Sequence, residues 1–307
     1  MIDGIDPHGQ QFLAGLDLLQ QKAARAQQQI SSGFRVSSAV DAPEDISQIL
    51  GIDSNLRESV QVISNLGRVK TEVDTAEASV QSAILILEQA LTIGAQGGSN
   101  LESTVTQRPV LAEQLKHLHE QLVAIAGTTV EGRYIFSGDA DGVQPYSVDL
   151  STANGVARLS TAPATRQVQH PDGSSFRVSE TAEQIFDHRN PDDSLANDNV
   201  FLALNSLRLA LEAHDQAAIT LAVSRIKGSA DYLNQKLAAY GTAQTQVASA
   251  IDSAEKLQVR WKVRLGELRD TDQTAAILAL TQAQSGAQAA LSAEAQRPRT
   301  SLFDYLR

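Results

Sequence analysis

Glu113, His117 and Glu120 recur at i, i+4 and i+7, a spacing that on a helix lines an imidazole up between two carboxylates and suits a divalent metal. No further ligand is evident nearby, and in a chain with 20% charged residues such a mixed face is the ordinary surface of a solvated helix. Gly94-Ala95-Gln96-Gly97-Gly98 has the glycine density of a phosphate cradle, but no Lys-Ser or Lys-Thr follows it and no strand precedes it, so it reads as a turn. A Gly-x-Ser-x-Gly nucleophile elbow does not occur. The chain has no Cys, which removes thiol catalysis, disulfides, Cys-ligated zinc and iron–sulfur clusters together. The expectation is a protein without catalytic residues, metal or cofactor.

The elements that carry these residues are mostly helical. Leu16, Leu19, Ala23, Ala26 and Ile30 follow one another at spacings of three and four, ending at Ser31-Ser32-Gly33, where the glycine supplies a cap or hinge. Asp41-Ala42-Pro43-Glu44-Asp45 reads as a helix start with Asp41 as N-cap. Val62, Leu66, Val69, Val73, Ala76, Val80, Ala83, Leu87 and Ala90 then keep a heptad for four repeats, which predicts a helix from about residue 44 to about residue 94, about 75 Å long. Gly94, Gly97 and Gly98 are expected to end it. Leu111, Leu115, Leu118, Leu122 and Ile125 predict an antiparallel return.

Between about residues 130 and 190 the helical period gives way to Gly, Pro, Ser, Thr and Asp. Tyr134–Phe136, Tyr146–Val148, Val156–Leu159, Arg166–Val168 and Phe176–Val178 are candidate strands, with a turn at Pro171-Asp172-Gly173. Helix resumes at Val200, Leu204, Leu207 and Leu211, runs on past Tyr240, and holds a last seam at Ile277, Leu280, Ala287 and Leu291 before Pro298 and Leu302-Phe303-Asp304-Tyr305-Leu306. The predicted fold is mainly α: an elongated antiparallel helical bundle, a coiled-coil rod, with a small β-rich domain inserted mid-sequence. Its expected parts are a terminal coiled-coil assembly domain (1–32 and 275–307), a helical rod domain (33–130 and 195–274) and a β-rich outer insert (131–194).

Acidic residues outnumber basic ones, 36 to 25, giving a net charge of -11, the wrong sign for a nucleic-acid or anionic-membrane partner. No unbroken apolar run approaches the roughly 18 residues of a membrane span, and the segment Met1 to Pro7 lacks the basic and apolar regions of a secretory signal. A lone terminal helix pair cannot bury its own stripes, so Leu13, Leu16, Leu19, Ile30, Ile277, Leu280, Leu291, Leu302 and Leu306 are expected to carry subunit contacts.

Ile30-Ser31-Ser32-Gly33-Phe34-Arg35-Val36, followed by Asp41-Ala42-Pro43-Glu44-Asp45, resembles the N-terminal signature of bacterial flagellins and hook-associated proteins, and the C-terminal Ser301–Leu306 box resembles the other end of that family. Gly132-Arg133-Tyr134-Ile135-Phe136-Ser137-Gly138 is similar to the box where the variable domain of the hook-associated protein 3 branch begins, which favours that branch, the hook–filament junction proteins, over flagellin itself. The resemblance implies a structural junction between hook and filament, made by helix-to-helix polymerisation. Implied partners are copies of itself in a ring, a neighbouring hook-associated protein, flagellin, and an export chaperone that binds the C-terminal helix. An extracellular place in the flagellum is also implied, reached uncleaved through the flagellar type III apparatus. Ser32, Gly33 and Arg35 would mark the hinge, and Arg133, Tyr134 and Phe136 the variable-domain signature.

Overall fold

A computed structural model describes residues 7–38, 40–99, 102–161, 163 and 166–296. The expected contact residues Leu302 and Leu306, with the rest of the C-terminal box, lie outside the described residues. The helices are α1 (Pro7–Ser32), α2 (Pro43–Gly97), α3 (Glu102–Ala126), α4 (Ala182–Ile185), α5 (Val200–Glu212), α6 (Gln216–Arg269) and α7 (Gln273–Ala295). The strands are β1 (Thr129–Val130), β2 (Arg133–Tyr134), β3 (Tyr146–Val148), β4 (Val156–Arg158), β5 (Gln167–Gln169) and β6 (Ser175–Arg177). The mainly helical fold with a small β-rich insert is therefore the one the periodicity predicts. The chain forms two compact units, one of residues 1–60 and 257–307, the other of residues 61–256.

In the larger unit the heptad positions of α2 are spent on a core. Val73, Ala76, Val80, Ala83, Leu87 and Ala90 are buried with Leu111, Leu115, Leu118 and Leu122 of α3, Leu204, Leu207 and Leu211 of α5, and Ile219, Ile226 and Val247 of α6. Helix α3 runs antiparallel to α2: Arg108 near its start donates to the Gly97 carbonyl at 3.0 Å, and Ser79 in mid-α2 meets Thr128 just past its end at 3.3 Å. Arg108 is itself buried and also donates to the carbonyls of Ser99 and His214 and to Gln216 Oε1, joining the α2–α3 turn to the α5–α6 turn.

Helix α2 ends at Gly97 with Gly98 in the turn, as its glycines predict. A Cβ at Gly94 would meet Val223 at 2.6 Å, and one at Gly97 would collide with Leu211, so these two glycines also permit close packing of helices. One local expectation needs correction: Asp41 does not cap α2. Its Oδ2 turns back to accept from the amides of Ser37 and Ser38 at 3.0 and 2.8 Å and from both hydroxyls, which holds its pKa down at about 2. One 18-residue window of α2 also reaches a mean hydropathy of 1.3, enough by length and composition for a membrane span, although no unbroken apolar run is present. Within the larger unit many of its apolar side chains, Val73, Val80, Ala83, Leu87 and Ala90 among them, are buried in the core, while Leu85 is exposed.

The insert is three separate antiparallel hairpins, β1–β2, β3–β4 and β5–β6. The strands lie within a residue or two of the predicted ones except that β1 was not foreseen, being only two residues long. It pairs with β2 across Glu131-Gly132, both at positive φ, the geometry of a type I′ turn. Phe136, Tyr146, Val156, Ile185, Phe186 and Phe201 join the same core as the helices. At the centre of the insert, buried Asp187 accepts from Tyr146, Asn154, Asn199 and Arg189, so its charge is fully engaged.

His119 of α3 is buried, its Nε2 3.1 Å from the Gly155 carbonyl, which as an acceptor requires the proton on that nitrogen. Burial, the largest influence, lowers its pKa from 6.5 to about 4. The folded state thus refuses a proton that the unfolded chain accepts, so stability is full above pH 6.5 and falls as pH drops from 6.5 to 4, by about 3 kcal/mol. Urea unfolding across this range should show that slope, and His119→Gln, which keeps an N–H donor, should flatten it; an unchanged slope would refute the assignment.

Candidate assembly site

The smaller unit inverts the usual distribution of apolar residues. Its buried apolar residues are Ala26, Val36, Ala42, Ile52, Leu265, Ala276 and Ala283, mostly alanine. Ten large apolar residues of the same unit, Leu13, Leu18, Val40, Leu50, Val60, Val259, Val263, Ile277, Leu278 and Leu291, are each more than half exposed.

Helices α1 and α7 pack against each other. They run antiparallel, since Gly33 just past the end of α1 bonds to Thr271 just before α7, while Leu19 in mid-α1 lies 3.3 Å from where a Cβ on Gly286 of α7 would be. Small residues make this approach possible: Ala26, Ala276 and Ala283 are buried in the pair. Leu16, Leu19, Ile30 and Leu280 are partly buried. Leu13, Ile277 and Leu291 point outward, Leu13 at 64% and Ile277 at 54% exposure. The structure thus sorts the expected contact residues into those nearer the helix seam and those left on its outside, and adds Leu18 and Leu278 to the second set. Between the helices a cleft of about 500 Å³ is lined by Leu19, Arg25, Ala26, Ala279 and Ala283 among others.

The loop after α1 is pinned. Gly33 donates to the Gln29 carbonyl at 2.9 Å with φ of +75°, a left-handed cap that glycine adopts without strain. The amides of Arg35 and Val36 both donate to the Arg269 carbonyl, at 2.7 and 3.2 Å, and the Thr271 amide donates to the Gly33 carbonyl at 2.9 Å. Ser32 Oγ accepts from the Phe34 amide at 3.2 Å. The Arg35 guanidinium donates to the Leu268 carbonyl at 2.7 Å and to Asp45 at 3.0 Å, and the Arg269 guanidinium sits 4.1 Å from the centre of the Phe34 ring. Ser32, Gly33 and Arg35 are thereby brought together with Leu268, Arg269, Asp270 and Thr271, which sequence reasoning did not single out. The available signal was Asp270-Thr271-Asp272: Asp272 caps α7 by accepting from Thr274 and Ala275.

Arg133, Tyr134 and Phe136 belong to the other unit. Arg133 is exposed, 3.6 Å from Asp141, and the Tyr134 amide donates to the Asp141 carbonyl. Phe136 is fully buried, edge-on to Phe186 with centroids 5.5 Å apart, and its carbonyl accepts from Ala182. The Glu113, His117 and Glu120 trio lies on an exposed face, with Lys116 2.8 Å from Glu113 and His117 3.3 Å from Glu120. Among the described residues no three metal-ligating side chains converge.

Removing the Arg35 guanidinium should loosen the junction by about 1–2 kcal/mol. Hydrogen exchange of Arg35→Ala is expected to speed up at the amides of Val36 and Thr271 and stay unchanged in α3 and α5; equal protection at those two amides would contradict the role given to Arg35.

Residues 10–141 match the family described as bacterial flagellin N-terminal helical region. No curated protein matches the chain. A putative flagellar hook-associated protein from Vibrio parahaemolyticus shares the fold at TM-score 0.64 and 17% identity, over 75% of this chain and 100% of that one. Flagellar hook associated protein-3 from Legionella pneumophila follows at TM-score 0.61 and 14% identity, over 72% and 98%. The flagellar junction protein FlgL from the same organism matches at TM-score 0.54 and 14% identity, over 74% and 99%. Most of the first half of the chain thus matches the flagellin N-terminal helical region, and the chain shares the fold of solved flagellar hook-associated proteins.

Proposed function

We propose that this protein is a structural component of the bacterial flagellum, a junction protein that joins hook to filament through helix-to-helix contacts and performs no catalysis. The observation that carries the reading is the row of large apolar side chains left exposed on α1 and α7, which a polymerising neighbour would bury. Burying one leucine of this kind is worth about 1.5–3 kcal/mol. The flagellin-type N-terminal region and the hook-associated fold support the same reading.

In this reading Leu13, Ile277 and Leu291 face neighbouring subunits, while Leu16, Leu19, Ile30 and Leu280 also hold α1 to α7. Ser32, Gly33 and Arg35 set the direction in which α1 leaves the junction. The partners are further copies of the chain, a neighbouring hook-associated protein and flagellin. Before assembly an export chaperone covers the C-terminal helix, and the chain reaches the cell exterior uncleaved through the flagellar type III apparatus.

Deleting the gene tests the reading directly. Electron microscopy should show bare hooks, and blotting should find unassembled flagellin in the medium, because the filament protein is exported but has nothing to dock on. Intact filaments would refute the junction role; filaments grown from this pure protein alone would make it a flagellin instead. Leu13→Asp with Ile277→Asp should reproduce the deletion while leaving the thermal unfolding of the larger unit unchanged, since both side chains are already in solvent in the isolated chain.

A further inference from the structure

Two helical segments of the smaller unit carry opposite charge beside exposed apolar side chains. Over residues 43–60, α2 bears Glu44, Asp45, Asp53 and Glu58 against one base, Arg57. Over residues 257–269, α6 bears Arg260, Lys262, Arg264 and Arg269 against one acid, Glu267. Part of this charge is satisfied within the chain: Asp45 pairs with Arg35, Asp53 with Arg57 and Arg264 with Glu267. Arg269 is engaged with the Phe34 ring. What remains is Glu44 and Glu58 on α2 and Arg260 and Lys262 on α6, all exposed and none in an ion pair among the described residues.

The apolar neighbours follow the same division. Leu50 and Val60 are more than half exposed on the acidic segment. Val259 and Val263 are more than half exposed on the basic one, four residues apart and so in line along one helical face, flanked on one side by Arg260 and Arg264 and on the other by Lys262. An apolar line with cations on its flanks is the pattern that selects an acidic amphipathic helix as partner. In a chain of net charge -11 this basic segment stands out, and the helix that complements it is already encoded in the same unit.

We propose that the basic face of α6 around Val259 and Val263 docks on the acidic face of α2 around Leu50 in a second copy of this chain, deepening the assembly reading above, on which it rests. The two faces differ, so the contact is heterologous: each copy uses α6 toward one neighbour and α2 toward the other. Such a contact propagates around a ring where an isologous contact would stop at a dimer, and the charges fix which face meets which.

The absence of cysteine allows a clean test. Leu50→Cys and Val263→Cys are placed together in the full chain, expressed in place of the wild type, and the isolated hook–filament structures are oxidised. A ladder of disulfide-linked multimers of this chain is expected, with no ladder from either single variant. Full-length filaments with only monomer after oxidation would overturn the contact and leave the junction reading intact, whereas failure of the gene deletion to strip filaments would overturn the junction reading itself. As a second arm, Arg260→Glu with Lys262→Glu should cut filament number at least tenfold, and adding Glu44→Lys with Glu58→Lys to the same chain should restore it; no rescue, or no loss in the first variant, counts against the pairing.

Discussion

The smaller unit depends on one short stretch of backbone pairing between residues more than 230 positions apart in the chain. Gly33, Arg35 and Val36 exchange hydrogen bonds with Arg269 and Thr271, and the Arg35 guanidinium reaches the Leu268 carbonyl. An isolated helix of some 25 residues is marginal in water because the cost of nucleation is recovered slowly. Tying the end of α1 to the start of α7 makes their packing intramolecular, so that two marginal helices share one seam. The positive φ of Gly33 makes the geometry possible, since a side chain in that backbone conformation would be strained.

That seam is thin. Alanines let the helices approach closely, but alanine contributes little burial per residue, and Leu13, Leu18, Ile277, Leu278 and Leu291 stay more than half in solvent. The larger unit is the opposite case. Four helices converge on one core, glycines at 94 and 97 remove the side chains that would hold α2 off its neighbours, and the polar groups that must be buried are tied down in networks centred on Asp187 and Arg108. The larger unit has a deep core of its own, whereas most of the buried apolar residues of the smaller unit are alanines.

Charge and apolar surface divide the work within such a contact. Exposed valines and leucines supply affinity in proportion to the area they lose to water, whereas residues such as Arg260 and Glu58 contribute little energy at a solvated surface and act through orientation. A surface rich in both can therefore be adhesive without being indiscriminate. The chain's overall negative charge opposes random association of copies.

The sequence by itself determined the long helices, the position of the β-rich insert and the apolar positions of α2, because a period of three and four over many residues admits only one regular structure; the one-turn helix α4, too short to show a period, it did not reveal. It also showed Gly33 and Arg35 as special through their neighbours in the signature. Local signals failed where one residue type serves two purposes. Glycine at 94 and 97 reads only as a helix stop, yet it also leaves a packing gap, set by Val223 and Leu211 more than a hundred positions away. Asp41 reads as a helix cap, but its carboxylate turned to Ser37 and Ser38. Leucine spacing placed Leu13, Leu19 and Ile277 on stripes without saying which side of each stripe faced a partner helix and which faced water. Only the tertiary structure decided that, because burial belongs to the space between elements, and no single element's sequence contains it.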